Sequence, residues 1–209
     1  MGQYYIPTLI ADDGTVSTLY SHQYDNGLKL MEHSYIGNRF VNAVLTQIWE
    51  HPKRIAWIGD YSDTECGDPY ERKLPYAQFM EYYNVAWGEN RETARIHPTS
   101  KAIVDMDSNA YLINHTQRQY IDLAEYIAAN KWHEEGTWAR EHYTYDMCVH
   151  PLPLLTACGN GRGGGDYHEC YPDYDKVGIW AFDLIECSAR RPDEYEKILP
   201  EFTEQRKAA

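Results

Sequence analysis

Apolar residues recur along the chain with helical and strand-like periods. Phe40, Val41, Val44, Leu45, Ile48 and Trp49 follow helical spacing, the pattern of a helix with one buried stripe. Asn38 precedes them and can cap the first turn with its side-chain oxygen, and His51-Pro52 ends the run. A second helix is expected after Pro75, with Tyr76, Phe79, Met80, Tyr83 and Trp87 on one face and Gly88 just past its end. Shorter apolar runs predict strands at 54–58, 101–105 and 177–185. Asp13-Gly14 is a hairpin signal, and Asp107-Ser108-Asn109 is a weaker one. A short helix is expected around 194–199. The fold class is therefore α+β, mainly antiparallel sheet with helices packed on it. No G-x-G-x-x-G stands between a strand and a helix, which removes a Rossmann reading.

The two halves of this pattern resemble each other. Leu28-Lys29-Leu30-Met31 is followed by Gly37-Asn38 and by Ile55-Ala56-Trp57-Ile58-Gly59-Asp60. Leu152-Pro153-Leu154-Leu155 is followed by Gly159-Asn160 and by Gly178-Ile179-Trp180-Ala181-Phe182-Asp183. Upstream, Tyr4-Tyr5-Ile6 leads to Thr18-Leu19-Tyr20, as Tyr111-Leu112-Ile113 leads to Gln119-Tyr120-Ile121. The order hairpin, L-x-L segment, Gly-Asn turn and W-x-x-D predicts an internal duplication. The expected organisation is a first unit at 1–65, an inserted connector with a helix at 66–109, a second unit at 110–190 and a charged tail at 191–209.

Charge narrows the function classes. Nineteen Lys and Arg stand against 32 Asp and Glu in 209 residues, a formal net charge of -13. Such a chain has no overall field for a phosphate backbone, so general nucleic-acid binding is not expected. Aromatic residues make up 14% of the chain, which argues against disorder. The start lacks the basic and apolar regions of a secretory signal, no run approaches a membrane span, and five cysteines at low density suit a reducing cytoplasm.

The strongest candidate site is Gly159-Asn160-Gly161-Arg162-Gly163-Gly164-Gly165-Asp166-Tyr167, which holds five of the 14 glycines. Ordering so many glycines is costly unless the backbone needs positive φ or must approach something closely. Successive bare N–H groups can form an anion-binding concavity. Arg162 adds a planar fork for phosphate or carboxylate. Asn160, Gly163, Gly164, Asp166 and Tyr167 complete the loop side, with Tyr167 able to stack on a ring. If the two units face each other, Glu32, His33 and Trp57 join them from the first unit.

Other groupings are weaker. Cys148, His150, Cys158, His168 and Cys170 are metal-ligand types without the paired short spacing of zinc sites, so no metal is expected. Asp60, Asp63, Glu65 and Asp68 lack the calcium-loop pattern. No nucleophile elbow surrounds His33-Ser34 or Cys158.

The strings M-G-Q-Y-Y, L-K-L-M-E-H-S and N-G-R-G-G-G-D-Y resemble those of a set of uncharacterised bacterial and phage proteins, in which they recur in one or two units. The resemblance covers 1–65 and 110–187. It implies a source but no activity, and it adds weight to Asn160, Arg162, Asp166 and Tyr167. Residues 66–109 have no counterpart in it.

The expected function is non-catalytic binding of a small anionic ligand, nucleotide-like, with no cofactor. A phage protein of this kind could sequester a host signalling nucleotide, and a homo-oligomer is compatible with the sequence. Two alternatives are an enzyme acting on a nucleotide or phosphoester, with His33 or His150 as general base, and an acidic inhibitor of a basic partner protein.

Overall fold

A computed structural model describes residues 3–62, 74–89, 95–138, 141–159 and 172–203. The expected contacts Asn160, Arg162, Gly163, Gly164, Asp166 and Tyr167 lie outside the described residues, as do Cys66, Cys170, His168, Asp63, Glu65 and Asp68.

The chain begins with a hairpin, β1 (Tyr5–Ile10) and β2 (Val16–Thr18), turned through Gly14 at φ 82. A short helix α1 (Leu30–His33) and the longer α2 (Arg39–Ile48) lead into β3 (Lys53–Gly59). Helix α3 (Tyr76–Trp87) precedes a second hairpin, β4 (Tyr111–Asn114) and β5 (Gln119–Asp122), which runs directly into α4 (Leu123–Asn130). A separate two-stranded ribbon, β6 (Trp132–Trp138) and β7 (Glu141–Met147), is followed by α5 (Pro151–Leu155) and β8 (Ala157–Cys158). β9 (Leu184–Ser188) and β10 (Glu196–Lys197) complete the main sheet.

Among the described residues the main sheet has the order β10-β5-β4-β9-β3-β1-β2, with β8 added to β3. It is mainly antiparallel. The exceptions are β10 with β5 and β8 with β3, both parallel. One edge of β3 is shared: its first residues pair with β9 and its last with β8. That sharing determines what meets at each end of β3.

Alternation along β1 and β3 divides the core between the two sheet faces. Tyr5, Leu9, Ile55 and Trp57 pack with Phe40, Val44, Leu45 and Ile48 of α2, Tyr126 of α4 and Leu152 of α5. Ile6, Ile10, Ala56 and Ile58 pack with Phe79 and Ala86 of α3. The cap read from the sequence is in place, because the Asn38 side chain accepts from the N–H groups of Phe40 (2.8 Å) and Val41 (3.4 Å). Pro75 is the N-cap of α3 and Gly88 its C-cap. Tyr76 is exposed and does not share the packed face of Phe79.

Three expected elements differ. Residues 177–183 form turns, and the strand starts at Leu184. The Gly178 and Trp180 N–H groups are taken by the carbonyls of Leu154 (2.8 Å) and Leu155 (2.7 Å), so they cannot enter a strand ladder. Residues 101–105 form no strand, because the Val104 N–H is held by the Asn42 side chain (2.9 Å) and its carbonyl by the Gly37 N–H (3.0 Å). Around 194–199 there is a two-residue strand in place of a helix, with the Ile198 N–H bound to the Tyr120 carbonyl.

The two flanks β2-β1-β3 and β5-β4-β9 are each a hairpin plus a third strand on the hairpin's first strand. The duplication expected from the sequence strings is not established by this layout. Trp57 lies within a strand, whereas Trp180 lies in the turns before one.

Candidate functional site

The carboxyl ends of the parallel pair β3 and β8 lie side by side, with Ile58 opposite Cys158. Beneath them is a buried polar pair. Tyr5 donates its hydroxyl to Gln3 Oε1 (3.1 Å), and both residues are almost wholly enclosed. The strands can close over this pair because β3 ends in Gly59 and β8 is followed by Gly159. A Cβ on Gly159 would overlap the Tyr5 hydroxyl and stand 2.9 Å from Gln3 Oε1, and a Cβ on Gly59 would overlap the Gln3 amide nitrogen. Both glycines are thus fixed by close approach, the second of the two reasons for which glycine is required.

Asp60 continues the same rim. Its Oδ1 accepts the Tyr4 N–H (3.0 Å), its own N–H goes to the Tyr4 carbonyl (3.0 Å), and its carbonyl accepts the Tyr83 hydroxyl (2.8 Å). Ser62 Oγ donates to the Gly59 carbonyl (2.7 Å), and Trp87 Nε1 donates to the Ile58 carbonyl (3.1 Å). The end of β3 is therefore pinned from the N-terminal segment and from α3. The Gly-rich stretch follows Gly159 directly in the sequence.

The first-unit residues expected at the site are partly brought together. His33 and Trp57 meet directly: Trp57 Nε1–H donates to His33 Nε2 at 3.1 Å. His33 Nδ1 then carries the proton and donates to the Gly27 carbonyl at 3.1 Å. Burial, which outweighs the opposing effects of the Gly27 bond and the Glu32 charge, lowers the His33 pKa to about 4, so the ring is neutral near pH 7. Both side chains are fully buried. They lie in the core beneath the strands, with no surface on which a base could stack. Glu32 is exposed and turns inward on its own helix, where its carboxylate accepts the Lys29 N–H (3.1 Å) and caps α1.

His150, the other histidine considered as a base, is also fully buried. Its Nδ1 accepts the Leu152 N–H (3.1 Å) as the cap of α5, which leaves the proton on Nε2, an atom with no hydrogen-bond partner. Burial alone lowers its pKa to about 3. Neither histidine presents a basic nitrogen to solvent. Among the described residues no group of three or more His, Cys, Asp or Glu is placed to hold a metal. No helix there is long and apolar enough to cross a membrane.

Two polar clusters had no signal in the sequence. Asp183, almost wholly buried, accepts from Asn114 (2.8 Å) and Gln117 (2.6 Å). His115 bridges Glu186 (2.7 Å) and the Tyr195 hydroxyl (3.0 Å), tying the segment after β9 to the sheet. Each joins residues more than sixty positions apart, so local spacing could not reveal them.

Set against known proteins, the chain matches no family model, no curated protein and no solved structure. Its functional reading rests on its own residues.

Proposed function

We propose that this protein holds a small anionic ligand, nucleotide-like, without turning it over, at the carboxyl ends of β3 and β8. The observation that carries this reading is the closure of Gly59 and Gly159 over the buried Gln3–Tyr5 pair. It makes a buried polar floor after which the Gly-rich stretch follows in the sequence. Functional residues concentrate on loops that a rigid scaffold positions. In this proposal Arg162 and the N–H groups around Gly163 and Gly164 take the anionic group. Asn160 and Asp166 take polar edges, and Tyr167 takes the ring. Trp57 and His33 stay paired in the core, and Glu32 caps α1.

The binding reading is favoured over a catalytic one by the state of the two histidines. A general base needs a nitrogen within reach of the proton it removes, and both rings are enclosed and neutral with their acceptor nitrogens already bonded. The proposal places the protein in the cytoplasm of a bacterium, or of one infected by its phage. Withdrawal of a host nucleotide signal is the service it would perform, and pairing of two copies is compatible with it.

The test is a thermal-shift screen of mono-, di- and cyclic nucleotides against wild type and Arg162→Ala. Stabilisation of wild type, with affinity at least tenfold lower in the variant, supports the proposal; one charged hydrogen bond is worth about 1.5–3 kcal/mol, which sets that factor. Equal affinity in the two proteins refutes it. Conversion of the bound nucleotide over time would replace holding with catalysis.

A further inference from the structure

At the opposite end of β3 lies a cleft of about 540 Å³ between the β1–β2 turn and α3. Arg54, Asp12, Gln78, Tyr82 and Phe182 line it. We propose that this cleft is a second binding site, for a small planar molecule with an anionic group at one edge and an N–H donor at another.

Three observations support the assignment. First, Arg54 is exposed and, among the described residues, has no carboxylate partner, in a chain whose net charge is -13. It gives one N–H to the Phe182 carbonyl (3.2 Å). A guanidinium carries five, so a fork remains for a carboxylate or phosphate. Second, Asp12 lines the same cavity without an ion pair among the described residues, and it supplies the matching acceptor. The two opposite charges are not spent on each other. Third, the wall is aromatic and strained. Tyr82 stacks on Phe182 with ring centroids 6.1 Å apart and planes 27° from parallel. Phe182 has φ 62, in the left-handed region that a non-glycine residue adopts at a cost. Glycine there would relieve the backbone but remove the ring that backs Tyr82.

A concave site with a few convergent polar groups and an aromatic wall suits a small organic ligand. The cleft is built from residues other than the Gly-rich stretch, so this inference stands or falls apart from the proposed function. An aminoaryl carboxylate and an adenine nucleotide share the required chemistry, since each combines a ring, an amine and an anion.

The experiment is an NMR titration of ¹⁵N-labelled protein with 4-aminobenzoate, benzoate, cyclohexanecarboxylate and adenosine monophosphate. We expect 4-aminobenzoate to shift the amides of 10–14 and 78–82 and to bind more tightly than benzoate, with cyclohexanecarboxylate weakest. Tighter binding of adenosine monophosphate would identify phosphate as the anion, and weaker binding a carboxylate; either supports the site. Arg54→Ala should weaken binding at least tenfold. Because that change also releases the Phe182 turn, Arg54→Lys serves as the second variant, keeping the charge and losing the fork, with a several-fold loss expected. Asp12→Ala should abolish the preference for 4-aminobenzoate over benzoate, and Arg162→Ala should change nothing. No shifts at these amides with any probe, or unchanged affinity in a folded Arg54→Ala protein, overturns the proposal.

Discussion

The two ends of β3 solve different problems with one strand. At its carboxyl end the backbone of Gly59 and Gly159 lies directly against buried side chains, with no room for a methyl group. At its amino end Arg54 stands exposed at an open cleft. The closed end is shaped by what the residues lack, and the open end by the chemistry they carry. Substitution of the two glycines should therefore cost the fold, and substitution of Arg54 should cost binding while the fold survives.

The largest effect on that contrast is expected from Gly159→Ala. The new methyl meets the hydroxyl of a rigid ring, with Tyr5 Cζ at 3.0 Å behind it. Overpacking of this kind costs about 1–3 kcal/mol, so urea unfolding should show a loss near the upper figure. Gly59→Ala should cost less, because its methyl meets the far end of a Gln3 side chain that can rotate. Tyr5→Phe should restore part of the stability of Gly159→Ala, and full additivity of the two changes would break the steric explanation.

Next comes the buried Trp57–His33 pair. Trp57→Phe removes the donor to His33 Nε2 and leaves a buried acceptor unpaired, a loss of about 1–3 kcal/mol with some lost volume added. A double-mutant cycle with His33→Leu should show strong coupling between the two sites.

The buried histidines His33 and His150 set an acid limb. Folded His33 and His150 titrate near 4 and near 3, below the 6.5 of an unfolded histidine. Between these values the unfolded chain binds more protons, so stability is full above about pH 6.5 and falls as pH drops toward 4 and then 3. Chemical denaturation across that range should show the decline, and His33→Gln should flatten its upper part. An unchanged slope in the variant would remove His33 from the account.

The smallest effect concerns thiols. Burial raises Cys148 and Cys187 to about 12, so both stay protonated and should resist a thiol reagent at pH 8 until denaturant is added. Prompt labelling of Cys187 in native protein would mean that the sheet centre opens.

The sequence showed what depends on local chemistry. Helix α2 was legible because Asn38 caps it and its apolar residues keep one stripe, and α3 because Pro75 and Gly88 bound it. The β1–β2 hairpin was legible because Asp13-Gly14 allows the turn. The run at 177–183 reads as strand from its apolar character alone. Its backbone is set by bonds to Leu154 and Leu155, which no spacing announces. For the candidate site, the pairing of β3 with β8 brings Gly159 over Tyr5, and only the register fixes that. Glycine enrichment after Gly159 was visible as composition, whereas the reason for Gly159 itself was not. The burial of Trp57 and His33 was equally hidden, since an aromatic strand residue reads the same whether it faces a ligand or a core.

The most direct test of the central claim is denaturing mass spectrometry of small molecules released from freshly purified wild-type and Arg162→Ala protein. The account predicts a nucleotide-like anion carried by wild type and lost from the variant, with both proteins equally folded. An identical anion retained by both would contradict it, and so would an empty wild type that no nucleotide stabilises.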